Sequence, residues 1–336
     1  MNFFYVTSFI TEKISEKIIE EERIENFVII SNERYNPYGE KFIYENEIYE
    51  IKKPLKSNLV GNWKNIIEGK NKISKLSEGG FSIYVPNTNI ETVQILLSHD
   101  ECEEFSFIEE GFTSYCELGG VKKSDEGAIR KLKNYVSYMG NIVEGKVFRE
   151  GYSRAYCLSE YAFPGWERKK IINTKISPDG DKKVPDRESC ILVIDSMRTL
   201  GLTKKEVYIS TLSRVTSILE DRYKNIYFKL HPDNYINEND GVFKSIIEMS
   251  SACTKEIDQE RSIERLAVGS KSDVIVNLSS AGLYCLLFSD SKVYTFYDMF
   301  RRHAERAGLE AENILGFERF VPDVFWDNAL PLEGGG

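Results

Sequence analysis

An acidic pair stands where a predicted strand ends. Glu109 and Glu110 follow the largely apolar run 105–108, and Gly111 then allows the chain to turn sharply. A carboxylate at such a position can take a proton from the hydroxyl group of an acceptor. The similar triplet 125–127 also has an acidic pair before a glycine, but it looks like the start of a helix and ranks below.

A histidine ends another predicted strand. His231 follows the run 225–230, and Pro232 stops the strand and stiffens the backbone around the imidazole. A histidine in this position can hold a phosphate group and neutralise it as it leaves. Lys229 offers a second positive charge at the same strand end.

Two serines stand between a strand and a helix. Ser279 and Ser280 separate the predicted strand 273–278 from the helix 281–288, which contains Gly282. The first turn of a helix presents backbone N–H groups and the positive end of the helix dipole, to which the serines add hydroxyl groups. We therefore expect this segment, Gly282 included, to bind a phosphate-bearing donor.

Strand and helix patterns alternate along the chain. In the first half, strands are predicted at 2–7, 27–30, 81–85 and 104–108, with helices at 11–22 and 89–98. In the second half, strands are predicted at 190–194, 225–230, 273–278 and 292–297, with helices at 203–220, 262–268 and 281–288. Thr203 and Glu206 have the spacing of a capping box at the start of the helix 203–220. This alternation predicts α/β structure with doubly wound parallel sheets.

The length of 336 residues fits two domains. Turn residues and a basic cluster between 164 and 185 indicate a linker, so we place the boundary near residue 165, with domains 1–165 and 166–331. The tail 332–336 resembles a cloning scar. Two Rossmann-like halves that face each other across a cleft are typical of the GT-B architecture of glycosyltransferases, in which ligands bind at the carboxyl ends of the strands.

Composition excludes several classes of protein. Apolar residues make up 41% of the chain, which is enough for a globular core, and the net charge of −9 argues against nucleic acid as a partner. The six cysteines lie far apart and only three histidines occur, so we expect free thiols and no metal site. No apolar run is long enough to span a membrane, and the start lacks a basic leader, which predicts a cytoplasmic protein.

Other motifs fail on their own structural requirements. The segment 140–146 has the spacing of a phosphate-binding loop, but Val147 lacks the hydroxyl group that would bind magnesium. Asp179-Gly180-Asp181 has the carboxylate spacing of a metal-dependent glycosyltransferase, yet it lies among turn residues. Asn277-Leu278-Ser279 is a glycosylation sequon in form only.

Taken together and in this order, Glu109-Glu110-Gly111, His231-Pro232 and Ser279-Ser280 resemble the three motifs of bacterial sialyltransferases. That group includes lipooligosaccharide and capsule sialyltransferases and polysialyltransferases, all of GT-B fold. The resemblance implies a metal-independent, inverting transfer of sialic acid from CMP-sialic acid to a galactose- or sialic-acid-terminated surface glycan. The first domain would then bind the acceptor, and the second the CMP-sugar.

The resemblance also implies roles for single residues. The acidic motif supplies the general base, for which we prefer Glu109 and keep Glu110 as the alternative, because a shift of one residue decides which side chain faces the site. His231 and the serine pair would bind the CMP phosphate and stabilise it as it leaves. Glutamate stands here where the family often has aspartate, which lengthens the base by one methylene group.

Two further readings remain open. One is a GT-B transferase with another donor, such as a UDP-sugar or a CDP-polyol, and the other is a non-catalytic module that binds nucleotides or glycans. Basic groups at 168–170 and 301–306 suit an anionic membrane surface, so a peripheral contact with the cytoplasmic face of the inner membrane is an expectation of the sequence. The sequence is also compatible with a homodimer.

Overall fold

The chain consists of two compact units, Met1–Thr174 and Lys175–Gly336, in a computed structural model. The structure describes residues 1–31, 35, 42–44, 59–116, 135–136, 138–141, 147–176, 186–196, 203–231, 240–259, 261–308, 318 and 321–333. Each unit contains one parallel sheet with helices in its connections. The predicted α/β class is confirmed.

The first unit is built on a seven-stranded sheet of order β3-β2-β1-β4-β5-β6-β7. Its strands are β1 (Asn2–Val6), β2 (Phe27–Ser31), β3 (Phe42–Tyr44), β4 (Phe81–Val85), β5 (Cys102–Ile108), β6 (Ala155–Cys157) and β7 (Lys169–Ile171). Its helices are α1 (Phe9–Glu21), α2 (Leu59–Ser77) and α3 (Glu91–Leu97), with a 3-10 helix at Phe112–Tyr115. All of these strand pairs are parallel.

The chain changes direction across this sheet between β1 and β4. Strands β2 and β3 extend to one side of β1, and the chain then returns to place β4 on the other side. Four consecutive residues of β1, from Phe3 to Val6, are buried, as expected for a central parallel strand covered on both faces. In open α/β sheets, ligands bind outside the carboxyl ends of the strands at such a switch point.

The second unit is built on a six-stranded parallel sheet of order β10-β9-β8-β11-β12-β13. Its strands are β8 (Ser189–Ile194), β9 (Asn225–Leu230), β10 (Cys253–Glu256), β11 (Asp273–Val276), β12 (Val293–Thr295) and β13 (Leu330–Pro331). Its helices are α4 (Lys205–Arg222), α5 (Asp240–Glu248), α6 (Ile263–Gly269), α7 (Ser280–Phe288), α8 (Tyr297–Arg306) and α9 (Asp323–Asn328). The switch point lies between β8 and β11.

Two local predictions are wrong. The predicted capping box at Thr203 does not form, because α4 begins at Lys205 after a Lys204 N-cap that makes no side-chain capping bond. The predicted linker includes Lys169–Ile171, which form β7 within the first sheet. Lys170 reaches Glu21 and Glu22 of the first unit, with each nitrogen-to-oxygen distance 3.3 Å, so these lysines belong to that unit.

Leu332 and Glu333, assigned above to a tail that resembles a cloning scar, make contacts within the second unit. Leu332 is 1% exposed, and its N–H donates to the Thr295 carbonyl oxygen at 2.9 Å. All six cysteines are free thiols, four of them buried. Among the described helices, none combines the length and the apolar character needed to cross a membrane.

Candidate functional site

Glu109 is an internal residue. Its side chain is 0% exposed, and both carboxylate oxygens accept hydrogen bonds. The Tyr115 hydroxyl donates to Oε1 at 2.7 Å, and the Leu158 N–H donates to Oε2 at 2.7 Å. Burial, with the Glu109 charge next, raises the pKa of the Tyr115 phenol. Glu109 therefore joins the end of β5 to the 3-10 helix and to the segment after β6.

We expect Glu109→Ala to destabilise the protein strongly. The substitution removes the acceptor of two buried donors and leaves a cavity, which together cost roughly 2–5 kcal/mol. Urea unfolding followed by circular dichroism measures the loss, and Glu110→Ala is the matched control, since it leaves both donors paired. A loss from Glu109→Ala no larger than that of the control would contradict this structural role.

Glu110 lies at the switch point of the first sheet. Its side chain is half-buried. The hydroxyl group of Thr7, which follows β1, donates to Oε1, and the amide of Asn87, which follows β4, donates to Oε2 at 3.4 Å. Burial raises the pKa of the Glu110 carboxyl, and the hydrogen bonds from Thr7 and Asn87 partly oppose that rise. A half-buried carboxylate with a raised pKa is suited to accept a proton near neutral pH.

The turn after Glu110 fixes its direction. Its N–H donates to the Ser114 hydroxyl at 2.7 Å, and its carbonyl oxygen accepts a hydrogen bond from the Thr113 hydroxyl at 3.0 Å. Gly111 has φ 58° and ψ −164°, a conformation that side chains with a Cβ rarely adopt. The glycine of the acidic motif is thus required by the backbone. Glu109 is enclosed and Glu110 is partly accessible, so the geometry favours Glu110, the alternative of the sequence analysis, as the candidate base.

His231 is exposed at the carboxyl edge of the second sheet. Its N–H donates to the Ile194 carbonyl oxygen at 2.8 Å, so the first residue after β9 is still held by the end of β8. His231 thus follows the strand next to β8, with its backbone held by the sheet.

The Lys229 side chain bonds to the segment that follows β10. Its ammonium group donates to the Gln259 carbonyl oxygen at 3.0 Å and to that of Arg261, which ties β9 to the segment after β10. The Lys229 ammonium group, expected as a second positive charge of the donor site, therefore holds this loop in place. The side chain of Glu264 lies nearby, and its pKa is raised mainly by burial, while the Lys229 charge lowers it in part.

The serine pair begins α7, as predicted. Ser279 is the N-cap residue, and its Oγ accepts a hydrogen bond from the Ala281 N–H at 3.3 Å. Ser280 is the first helical residue, and both serines are half-buried. The first turn contains no acidic residue. Strands β9 and β11 are separated only by β8, so the chain positions after them are about 10 Å apart along the sheet edge, which a nucleotide phosphate and its ribose can span.

Gly282 has a packing role. A Cβ at this position would lie 2.9 Å from Val276 Cγ2 and 3.3 Å from the Phe325 ring. The glycine allows α7 to approach β11 and α9 closely. Its contact with the donor stays a prediction.

Two polar residues at the switch point of the second sheet, Asp195 and Asn277, were not assigned to the site by the sequence analysis. Asp195 directly follows β8, is 7% exposed and accepts a hydrogen bond from the Tyr208 hydroxyl at 3.1 Å. Asn277 directly follows β11, is fully buried, and its carbonyl oxygen accepts a hydrogen bond from the Thr295 hydroxyl at 2.7 Å. Their signal in the sequence was a polar residue directly after an apolar strand.

Several predicted features lie outside the described residues. These are Pro232, the acidic triplet 125–127, most of the loop 140–146 and Asp179-Gly180-Asp181. Within the part of the chain that the structure describes, no three His, Cys, Asp or Glu side chains are grouped so as to hold a metal ion. The structure thus brings His231 and the serine pair to one sheet edge, and Glu110 to the corresponding edge of the other sheet.

Known structures resemble this chain over most of its length. The UDP-GlcNAc 2-epimerase of Methanocaldococcus jannaschii, in complex with UDP-GlcNAc and UDP, shares 13% identity and matches with a TM-score of 0.50 over 89% of this chain and 84% of its own. This likeness includes both units. The fold is of the GT-B type. The match shows the fold alone, because the identity is so low.

Two other neighbours are more distant. A trehalose-6-phosphate protein from E. coli bound with UDP-2-fluoro glucose has 8% identity, a TM-score of 0.48 and coverage of 98% and 96% of the two chains. A glycosyltransferase from Rickettsia africae has 10% identity, a TM-score of 0.39 and coverage of 98% and 94%. No known family model matches the sequence, and no curated protein matches it.

Proposed function

We propose that the chain is an inverting glycosyltransferase that transfers sialic acid from CMP-sialic acid to a hydroxyl group of a galactose- or sialic-acid-terminated glycan. The observation that carries this proposal is Glu110, a half-buried carboxylate with a raised pKa at the switch point of the first sheet. The order of the acidic, His-Pro and Ser-Ser motifs along a GT-B fold supports the choice of donor.

Glu110 acts as the general base. It accepts the proton of the acceptor hydroxyl as that oxygen forms a bond to the anomeric carbon of sialic acid, and the bond from that carbon to the CMP phosphate oxygen breaks. Thr7 and Asn87 hold the carboxylate from two neighbouring strand ends, so it is oriented before the acceptor binds. Glu109 supports the turn from inside the fold.

The second unit stabilises the leaving group. Negative charge grows on the CMP phosphate as the bond breaks, and fixed donors aimed at that charge usually make the largest contribution to catalysis. His231 supplies one donor, and the hydroxyl groups of the serine pair and the positive end of the α7 dipole supply the rest. The mechanism requires no metal.

A UDP-sugar is the second candidate donor. It is favoured by the likeness to the epimerase, which was determined with UDP-GlcNAc and UDP. Its reaction would use the same base and the same phosphate-binding groups, so only the nucleotide and the sugar distinguish the two candidates.

A donor panel in EDTA tests the proposal. CMP-sialic acid, UDP-GlcNAc and a CDP-polyol are each incubated with lactose or with a sialylated oligosaccharide, and nucleotide release is compared with product mass. We expect CMP release coupled to a sialylated product. If only the UDP-sugar is turned over, the donor is a UDP-sugar and not CMP-sialic acid. Binding of nucleotide without turnover of any donor would indicate the non-catalytic module.

A further inference from the structure

A basic pocket lies on the helical layer of the second unit. It has a volume of about 390 Å³, which falls within the range of small-ligand sites, and it opens between α4 and α8, which pack against each other. The lining residues are Ser210, Arg214, Met299, Arg302, His303, Arg306 and Glu333. None of the residues assigned above to the donor or the acceptor is among them.

We propose that this pocket binds a dianionic phosphate group, carried by a phosphate monoester or a diphosphate, at the position that the Glu333 carboxylate occupies. The proposal is independent of the proposed transferase activity. It identifies a second anion site on helix faces, away from the strand ends that hold His231 and the serine pair.

Glu333 marks the place of the anion. Arg214 Nε donates to its Oε1 at 3.1 Å, and Arg302 Nη2 donates to its Oε2 at 2.5 Å. Burial opposes ionisation of this carboxyl, but the hydrogen bonds from the two arginines outweigh it and lower its pKa. Two guanidinium groups thus converge on one pair of oxygens, an arrangement that also suits the oxygens of a phosphate.

The pocket has more positive charge than Glu333 neutralises. Three guanidinium groups line it against one carboxylate. The neighbouring acids of α8 pair with Arg301, which lies outside the pocket: Asp298 at 3.6 Å and Glu305 at 3.9 Å. Within the described residues no carboxylate lies within ion-pair distance of Arg306. In a chain of net charge −9, this local excess of positive charge favours a doubly negative ligand.

The positive charge of the pocket also acts on His303. Its Nδ1 lies 3.0 Å from the Thr211 hydroxyl. Burial lowers the pKa of the imidazole, and the charges of Arg306, Arg302 and Arg214 lower it further, against an opposing effect of Glu333. The side chain is therefore a neutral polar group at physiological pH and leaves the charge of the pocket to the arginines.

Calorimetric titration of the full chain with inorganic pyrophosphate at low ionic strength tests this site. We expect Glu333→Gln to bind roughly tenfold more tightly than the unsubstituted chain, because a competing charge-assisted interaction is removed. Arg306→Gln should bind roughly tenfold more weakly. The matched control is Arg301→Gln, next to Arg302 in the same helix but outside the pocket and already paired, which should leave the affinity within about twofold.

Vesicles distinguish a phosphate group carried by a lipid from one carried by a soluble molecule. Phosphatidic acid in phosphatidylcholine vesicles presents a phosphate monoester on a lipid, and vesicles of phosphatidylcholine alone are the control. Cosedimentation is measured for the same variants. Binding of either probe that weakens with Arg306→Gln and not with Arg301→Gln supports the site. If Glu333→Gln binds neither probe, or if Arg301→Gln weakens binding as much as Arg306→Gln, the proposal is wrong.

Discussion

Glu110→Gln should lower kcat by roughly 10²–10⁴ while the affinity for the donor stays close to that of the unsubstituted enzyme. The amide has nearly the shape of the carboxylate and can still accept the hydrogen bond from Thr7, but it cannot take the proton of the acceptor. Steady-state kinetics with the donor and acceptor established by the panel measure kcat and KM separately. A fall in kcat of less than threefold would remove Glu110 from the mechanism.

The pH dependence provides a second readout of the same residue. A general base works in its deprotonated form, so the rate rises with pH through the pKa of Glu110, which burial raises above the ordinary value for glutamate. The hydrogen bond from Thr7 lowers that pKa in part. Thr7→Val should therefore move the acidic limb of the rate profile to higher pH, a shift that a merely structural role for Glu110 would not produce.

The raised pKa of Glu110 also predicts how the stability of the fold changes with pH. Because the folded-state pKa of Glu110 lies above the unfolded value, the folded protein binds more protons between the two values, and stability falls as pH rises through that window. Above that window the carboxylate form of Glu110 no longer contributes this stability, whereas a glutamine amide carries no charge to bury. We expect Glu110→Gln to unfold at an equal or higher temperature than the unsubstituted chain at pH 7, although it has lost activity.

His231→Ala should lower kcat by roughly 10²–10³, by analogy with the loss of one donor to a developing negative charge. The imidazole is exposed and its backbone is held by Ile194, so the substitution should leave the fold intact. Single-turnover measurements separate bond cleavage from donor binding.

His231→Gln is the matched variant for this residue, since its amide still donates a hydrogen bond. It should recover part of the lost rate if His231 acts as a donor to the phosphate. A kcat for His231→Ala within threefold of the unsubstituted enzyme, measured at saturating donor, would contradict the role.

The central strands of the two sheets follow from the sequence, whereas the 19-residue helix α2 and the edge strands β3, β7, β10 and β13 were not predicted. Apolar runs such as 190–194 predict buried parallel strands, and these were confirmed at nearly the expected bounds. Strand β7 consists of two lysines and one isoleucine, so neither hydrophobicity nor period reveals it. It forms because β6 offers an unpaired edge and because the lysine side chains find partners in the first unit.

The sequence predicted which strand ends carry the candidate residues, but not the contacts that their side chains make. A strand end identifies the edge of a sheet, which is why His231, Ser279 and the acidic pair were found. It does not reveal which of two adjacent side chains points inwards, since that depends on the hydrogen bonds of Tyr115 and Leu158 to Glu109. The contacts of Lys229 and Gly282 could not be predicted either, because they involve segments that are not adjacent in sequence.

The position of β1 also determines when the first unit can fold during synthesis. The Met1 amino group donates to the Gly80 carbonyl oxygen, 79 residues away, and β1 lies between β2 and β4. At about 5–20 residues per second, a ribosome takes roughly 4–16 s to add those residues. During that interval the apolar strand can pair with β2 alone, and its second edge has no partner. The growing chain therefore exposes one side of its central strand, which is the stage at which a chaperone or aggregation would act on it.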